Sequence, residues 1–355
     1  MTQTLLRPTG FVDSPFGHDG KVARLAGGLN WFASTELIHA DGARELAPVE
    51  GIEARFDEAM AAAWANLIAP RAPLQLGART IRLDQPQVMG IVNVTPDSFS
   101  DGGIYPDARA AAEAGAIMAA AGAALIDVGG ESTRPGAKDV WEGDEIERVL
   151  PVVQQLVAGG TAVSIDTRKA AVIEAALGAG AGMVNDVSAL TYDDRSAEVV
   201  AAAGAPVILM HHQGDPQSMQ DAPRYGDVLA DVYRWLEQRI AVAEAAGIAR
   251  ANILIDPGIG FGKSVAHNLE LLNGLALFHG LGCPLVLGAS RKRMIGALAN
   301  EAAADRRLAG SLTLALKAVE QGAQIIRVHD VPETVQALRI WRGLRDQALT
   351  PRVGR

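Results

Sequence analysis

Eight short apolar runs in this chain of 355 residues end in polar or charged side chains. The ends carry Asn93; Asp127 with the stretch Gly129 to Arg134; Asp166-Thr167-Arg168; Asn185-Asp186; Met210-His211-His212; Asp256-Pro257-Gly258; Ser290-Arg291-Lys292; and Arg327-Val328-His329-Asp330. Asp166, Asn185 and Asp256 have the acceptors that meet ring N–H and amino groups, and a buried carboxylate is tolerable only with such partners. Arg327, His329 and Asn93 supply donors for phosphate oxygens, beside room for a hard cation that keeps several waters. The chemistry suggested is recognition of a planar polar ring together with an anion. Each residue alone has a plainer reading. An Asp ahead of a helix is most often its N-cap, a strand-end Asn bonds nearby backbone, and an Arg ties down a loop. A polar cluster at all eight ends is hard to explain that way and points to one site.

The elements that would bring these ends together follow from periodicity. Strands are read at Val88–Val94, Ala124–Val128, Ala162–Ile165, Met183–Asn185, Pro206–Met210, Asn252–Ile255, Pro284–Leu287 and Gln324–Val328. Helical patterns alternate with them: Asp107–Ala121, Asp144–Ala158, Lys169–Ala179, Asp193–Ala203, Gly226–Ala246, Ala266–Phe278, Arg291–Gln321 and Pro332–Leu344. Strands apolar on both faces, separated by helices, form a parallel sheet covered by those helices. The class is α/β, and eight such units fit a closed (β/α)8 TIM barrel over residues 73–347, with a doubly wound open sheet as the alternative. Residues 1–72 read as an N-terminal accessory segment, with one or two strands between Lys21 and Ile38 and a helix over Glu53–Ala69. A hairpin about Gly77-Ala78 is expected to close the barrel bottom, and residues 348–355 form a tail.

Composition narrows the function. The net charge of -9, with no basic segment to offset it, argues against broad nucleic-acid binding. No leader pattern opens the chain, and no apolar run reaches the roughly 18 residues of a membrane span, so a cytoplasmic protein is expected. A single cysteine, Cys283, excludes an internal disulfide. Three motifs invite misreading. Asp256 to Ser264 nearly makes a P-loop, but Pro257 stands where that loop needs Gly. His211-His212 suggests a metal, although neighbours on a strand face opposite sides and no further ligand pattern accompanies them. Lys292 between Arg291 and Arg293 suggests a Schiff-base lysine, but it follows a turn and its surroundings suit anion or carbonyl binding better.

In order along the chain stand GIVNVTPDSFSDGG at 90–103, LIDVGGESTRPGA at 125–137, SIDTRK at 164–169 and NDVSAL at 185–190. LMHHQG at 209–214, LIDPGIGFGK at 254–263, SRK at 290–292 and RVHDV at 327–331 follow. From Val88 to Leu344 the chain closely resembles the dihydropteroate synthases. The resemblance implies Mg2+-dependent condensation of 6-hydroxymethyl-7,8-dihydropterin pyrophosphate with p-aminobenzoate, giving dihydropteroate and pyrophosphate. It implies a pterin site at Asp166, Asn185, Met210, Asp256, Gly288 and Lys292, and a p-aminobenzoate site at Thr133, Arg134, Pro135, Phe261, Ser290 and Arg293. Asn93, Arg327 and His329 would hold the pyrophosphate, with Asn93 also on the metal. Asp166, Asp256, Lys292, Arg327 and His329 make up the catalytic set. Loops at Thr95–Tyr105 and Gly130–Trp141 would close over the site, sulfonamides would compete with p-aminobenzoate, and a homodimer through the late barrel helices is expected. His212, Arg293 and the long N-terminal segment depart from the family pattern. A methyltetrahydrofolate:corrinoid methyltransferase uses a similar pterin barrel but leaves the Ser-Thr-Arg-Pro, Ser-Arg-Lys and Arg-Val-His sets unexplained. A silent pterin-binding module is the remaining alternative.

Overall fold

A computed structural model of the chain describes residues 3–94, 108–132, 139–214 and 223–350. The N-terminal segment builds an antiparallel sheet in which β1 (Leu5–Val12), β2 (Ala23–Arg24) and β4 (Arg44–Pro48) all pair with β3 (Trp31–Ile38). β2 and β3 are the two strands expected between Lys21 and Ile38, while β1 and β4 lie outside that interval and were not anticipated. Pro8 and Gly10 break the pattern of β1, and the strand tolerates its proline at the sheet edge, where among the described residues its one partner is β3. The expected helix is shorter than its periodicity suggests. Residues 52–55 make a 3-10 turn, and α1 (Glu58–Ile68) starts only at the Asp57 cap, which accepts from the Met60 N–H at 2.7 Å. Trp64 of α1 meets Phe32 edge-on, ring centroids 5.7 Å apart, in a small core with Leu37, Met60 and Leu67. This unit packs beside the barrel: Ala276 enters its core, Asn66 Nδ2 donates to the Gly280 carbonyl at 2.9 Å, and Arg71 Nη2 to that of His279 at 2.9 Å.

The bottom is closed instead by the hairpin of β5 (Leu74–Leu76) and β6 (Arg79–Ile81), as its sequence position suggests. Above it stand β7 (Gln87–Asn93), β8 (Leu125–Gly129), β9 (Val163–Asp166), β10 (Met183–Asp186), β11 (Val207–Met210), β12 (Ile253–Asp256), β13 (Val286–Leu287) and β14 (Ile325–Val328). All are parallel, β14 pairs with β7, and a bridge between Ile255 and Leu285 closes β12 onto β13. This is the (β/α)8 barrel. The helices are α2 (Ala108–Ala121), α3 (Glu142–Ala158), α4 (Ala170–Gly178), α5 (Ser196–Ala203), α6 (Val228–Ala245), α7 (Val265–Asn273), α8 (Arg293–Leu298), α9 (Leu308–Glu320) and α10 (Val331–Ala348). Two expected helices are corrected. Arg291–Gln321 is broken into α8 and α9, with Asn300 and Glu301 both at positive φ between them, and α7 gives way to a 3-10 stretch over Leu275–Leu281.

Inside the barrel, Met89, Leu125, Ala162, Met183, Ile208, Leu254, Val286 and Ile325 form one apolar layer on the hairpin residues Leu74, Leu76, Ile81 and Leu83. Side chains alternate along a strand, so an even step returns to the same interior face. Two or four residues beyond that layer come Asn93, Asp127, Asp166, Asn185, Met210, Asp256, Gly288 and Arg327. The polar mouth is thus the next storey of an apolar plug. No helix among the described residues is long and apolar enough to cross a membrane.

Candidate active site

Four strand ends are wired together. Arg327 donates through Nε to Asp127 Oδ2 at 2.6 Å and through Nη2 to Asp166 Oδ2 at 2.6 Å, while Asn185 Nδ2 donates to the same Asp127 oxygen at 3.0 Å. Burial pushes Asp166 up to about 7 against the pull of Arg327, with Asp127 adding to the rise. Burial also pulls the Arg327 guanidinium down, but Asp127 and Asp166 overcome it and leave it raised, so Arg327 stays charged. Across the mouth Asp256 accepts from the Gly258 N–H at 2.7 Å, and burial raises it against the opposing charge of Lys292. Lys292 is lowered to about 8 by burial, which outweighs the upward pull of Asp256. A Cβ at Gly288 would lie 3.7 Å from Asp256 Oδ2 and 3.8 Å from the Arg327 stem, so glycine there keeps the space between them open.

The loop that resembles a P-loop wraps around its own lysine. Lys263 is buried, and its ammonium reaches the carbonyls of Gly258 at 2.9 Å and Phe261 at 3.0 Å and His211 Nδ1 at 2.8 Å. Those contacts use the donors a phosphate would need. Gly258 sits at φ +68, and a Cβ there would fall 1.8 Å from the His211 carbonyl oxygen. Burial first, then the Lys263 charge, pushes the His211 imidazole down to about 2, so it is neutral and accepts from the lysine. The loop in turn places Lys292, which donates to the Ile259 carbonyl and lies 4.5 Å over the Phe261 ring. The two histidines do not diverge as strand alternation suggests. The strand stops at Met210, and both rings lie edge-on to Trp235, at 4.8 and 5.8 Å.

Ser290 Oγ lies 3.0 Å from His329 Nδ1 and accepts from the His329 N–H at 3.2 Å, joining the ends of β13 and β14. Arg293 is exposed at the start of α8. Thr133, Arg134 and Pro135, half of the Gly130–Trp141 loop and the whole Thr95–Tyr105 loop lie outside the described residues. Arg168, a strand-end residue, is drawn away from the ring. It pairs with Glu131 at 2.9 Å and Asp139 at 2.7 Å, on either side of residues 133–138, and covers the Tyr192 ring at 3.8 Å. Asp186 is likewise structural, holding the N–H groups of Ser188 and Leu190 at 2.7 and 2.9 Å. Sequence reasoning noted Asp127 at a strand end but gave it no role, and it weighed Lys263 only as part of a near P-loop. The signal for Asp127 was its even step from Leu125. Among the described residues, no three carboxylate, histidine or cysteine side chains gather in a way that would hold a metal.

The pterin binding enzyme family matches residues 89–329. Dihydropteroate synthase of Escherichia coli K12 is 49% identical over 262 residues, spanning 74% of this chain and 92% of the relative. The Yersinia pestis dihydropteroate synthase, solved with a sulfonamide drug complex, superposes with a TM-score of 0.75 at 47% identity, covering 78% of this chain and all (100%) of that one. The Xanthomonas albilineans synthase with 4-aminobenzoic acid gives 0.73 at 48% identity, over 78% of this chain and 99% of that one. Its complex with 7,8-dihydropteroate gives 0.70 at 46%, over 79% and 100%. The chain belongs to the pterin-binding enzymes and, within them, to the dihydropteroate synthases.

Proposed function

We propose that the wired ring at the barrel mouth binds dihydropterin pyrophosphate and that the adjoining face takes p-aminobenzoate. The chain then catalyses their condensation to dihydropteroate and pyrophosphate. The observation that carries this reading is the convergence of Asp166, Asn185, Asp256 and Arg327 from four strand ends onto one storey above the plug, with Lys292 at the start of α8 adding its charge beside Asp256. Asp166, Asn185 and Asp256 accept from the N–H and amino groups of the pterin, Lys292 donates to a ring acceptor, and Met210 and Gly288 line the pocket. Arg327, His329 and Asn93 face the pyrophosphate. Phe261, Ser290 and Arg293, with Thr133, Arg134 and Pro135, border p-aminobenzoate.

The step breaks the bond from the pterin methylene carbon to pyrophosphate oxygen, and the electron pair leaves with the pyrophosphate. Arg327 and His329 favour that departure by meeting the leaving charge, and Asp166 and Asp256 steady the cation delocalised into the ring. The p-aminobenzoate nitrogen then forms the new C–N bond and releases a proton. No protein nucleophile is required, and Lys292, one of whose N–H groups is held by the Ile259 carbonyl, acts as a donor. Positioning and exclusion of water are the main tasks left to the fold. With Asn93 as the amide oxygen available, the donor set fits a magnesium ion held mainly by pyrophosphate oxygens and water. Bound there, magnesium would neutralise leaving-group charge.

A turnover assay with and without Mg2+, following pyrophosphate release and identifying dihydropteroate by mass, tests the reading. Stoichiometric, Mg2+-dependent formation of both products is expected, with competition by a sulfonamide. Pterin binding without release of either product would instead make the chain a silent binding module. We place the reaction in the cytoplasm, where the lone buried Cys283 stays a thiol. We also propose a homodimer through the late helices, where Ile340 and Leu344 stand exposed one turn apart on α10. Sedimentation of the wild type and of Ile340→Glu would separate dimer from monomer.

A further inference from the structure

We infer that Asp127 is a positioning residue that fixes which way the Asn185 amide faces, so that Asn185 offers the pterin its oxygen and not its NH2 group. The inference rests on the pterin-site reading above. Asp127 is fully buried, 0% exposed, so it reaches the ligand only through its neighbours. One of its oxygens, Oδ2, accepts from both Asn185 Nδ2 at 3.0 Å and Arg327 Nε at 2.6 Å. The other, Oδ1, is buried with no hydrogen-bond partner among the described residues. An asparagine amide has one acceptor and one NH2 group, and turning it by half a rotation exchanges them. With its NH2 on Asp127, the orientation is settled. The reverse would set the Asn185 oxygen against a carboxylate oxygen inside the barrel, where an unfavourable polar contact is costly.

The same carboxylate sets Arg327. Because Nε is taken by Asp127, the outer edge of the guanidinium is turned to Asp166 and the mouth. A group that never meets the substrate therefore makes one neighbour an acceptor for the ring and aims the other at the anion. The polar pair is also strongly non-local. Asp127 lies 58 residues from Asn185, across β9, and 200 from Arg327, which the pairing of β14 with β7 brings round to it.

The test compares Asp127→Asn, Asp127→Leu and Asn185→Ala by titration with 6-hydroxymethylpterin and by steady-state kinetics. In Asp127→Asn the side-chain oxygen can occupy the Oδ2 place and the new NH2 the place of the unpartnered Oδ1. Pterin affinity is therefore expected within about threefold of the wild type. Asp127→Leu offers no acceptor and should weaken pterin binding about tenfold or more, raising KM for the pterin substrate while KM for p-aminobenzoate stays put. In the Asn185→Ala background the same Leu substitution should cost clearly less, since the amide it acts through is gone. If Asp127→Asn loses as much affinity as Asp127→Leu, charge and not amide direction is what matters, and the inference falls. Equal cost of Asp127→Leu with and without Asn185 also overturns it. Should Asp127→Leu not fold, the Asp127→Asn arm still decides. Unchanged pterin affinity in Asn185→Ala would instead refute the pterin-site reading itself.

Discussion

The bottom and the mouth of the barrel are built from the same strands, two or four residues apart, and obey opposite rules. Leu254 is part of the plug and Asp256 part of the ring; Ile325 and Arg327, and Leu125 and Asp127, repeat the contrast. Below, eight apolar side chains pack against a hairpin and are satisfied by contact alone. Above, carboxylates are held out of water, which raises Asp166 and Asp256 and sets Lys292 low. Stability is concentrated in one storey so that the next can hold groups that work against it. Parallel strands with side chains alternating into a closed interior make this division possible at a step of two.

The largest effect should come from breaking the upper storey alone. Asp256→Ala removes an acceptor from a buried ring donor and leaves Lys292 without its strongest opposing charge. Pterin affinity should fall about a hundredfold, measured by calorimetric titration, with little change in thermal midpoint. Unaltered affinity would remove Asp256 from the site. Arg327→Ala should separate the two halves of the substrate. Because the guanidinium is both the partner of Asp127 and Asp166 and the proposed anion donor, binding of the pterin pyrophosphate should fall at least about tenfold more than binding of the bare pterin. Equal losses would confine Arg327 to wiring the ring.

The lower storey gives the converse. Leu254→Ala leaves a cavity among Met183, Ile208 and the hairpin leucines and should cost about 3 kcal/mol by denaturant unfolding. The KM values of the folded fraction should stay within about twofold, because the plug makes no hydrogen bond to the ring. A selective rise in the pterin KM would show the two storeys to be coupled.

This division was largely legible before any coordinates. Strands buried on both faces appear as plain apolar runs, so the ends at Met210 and Val328 could be placed to the residue and their starts to within one. Strand ends in turn located Asp166, Asn185, Asp256 and Arg327. What was hidden depends on closure or on backbone conformation. Asp127 looks like any strand-end Asp until β14 comes round beside β7 and brings Arg327 to it. The break between α8 and α9 involves Asn300 and Glu301 at positive φ, a conformation that Glu does not announce. In β1, Pro8 and Gly10 disguise a strand whose pairing with β3 is tertiary information. Lys263 was read against a phosphate motif, whereas its acceptors are carbonyls of its own loop.

The contrast between storeys can be sharpened most finely by pH. Burial leaves Asp166 at about 7, and its role as an acceptor requires the ionised form. Above that value the carboxylate is charged and ready for the ring donors. Below it the site takes up a proton that must leave before the ligand binds, so affinity should fall by up to about tenfold for each unit of acidification. The fall should begin near neutrality, well above the range where an ordinary aspartate titrates. Asp166→Asn cannot take up that proton, so its weaker pterin binding should lose the part of the fall that begins near neutrality and keep only that of Asp256, which burial also raises. Comparing the two profiles, with a pterin that does not itself titrate in the window, isolates the carboxylate. The plug variant Leu254→Ala should keep the wild-type pH profile, since it leaves the environment of Asp166 alone. A flat wild-type profile would mean that the Arg327 pairing outweighs burial and holds Asp166 ionised throughout.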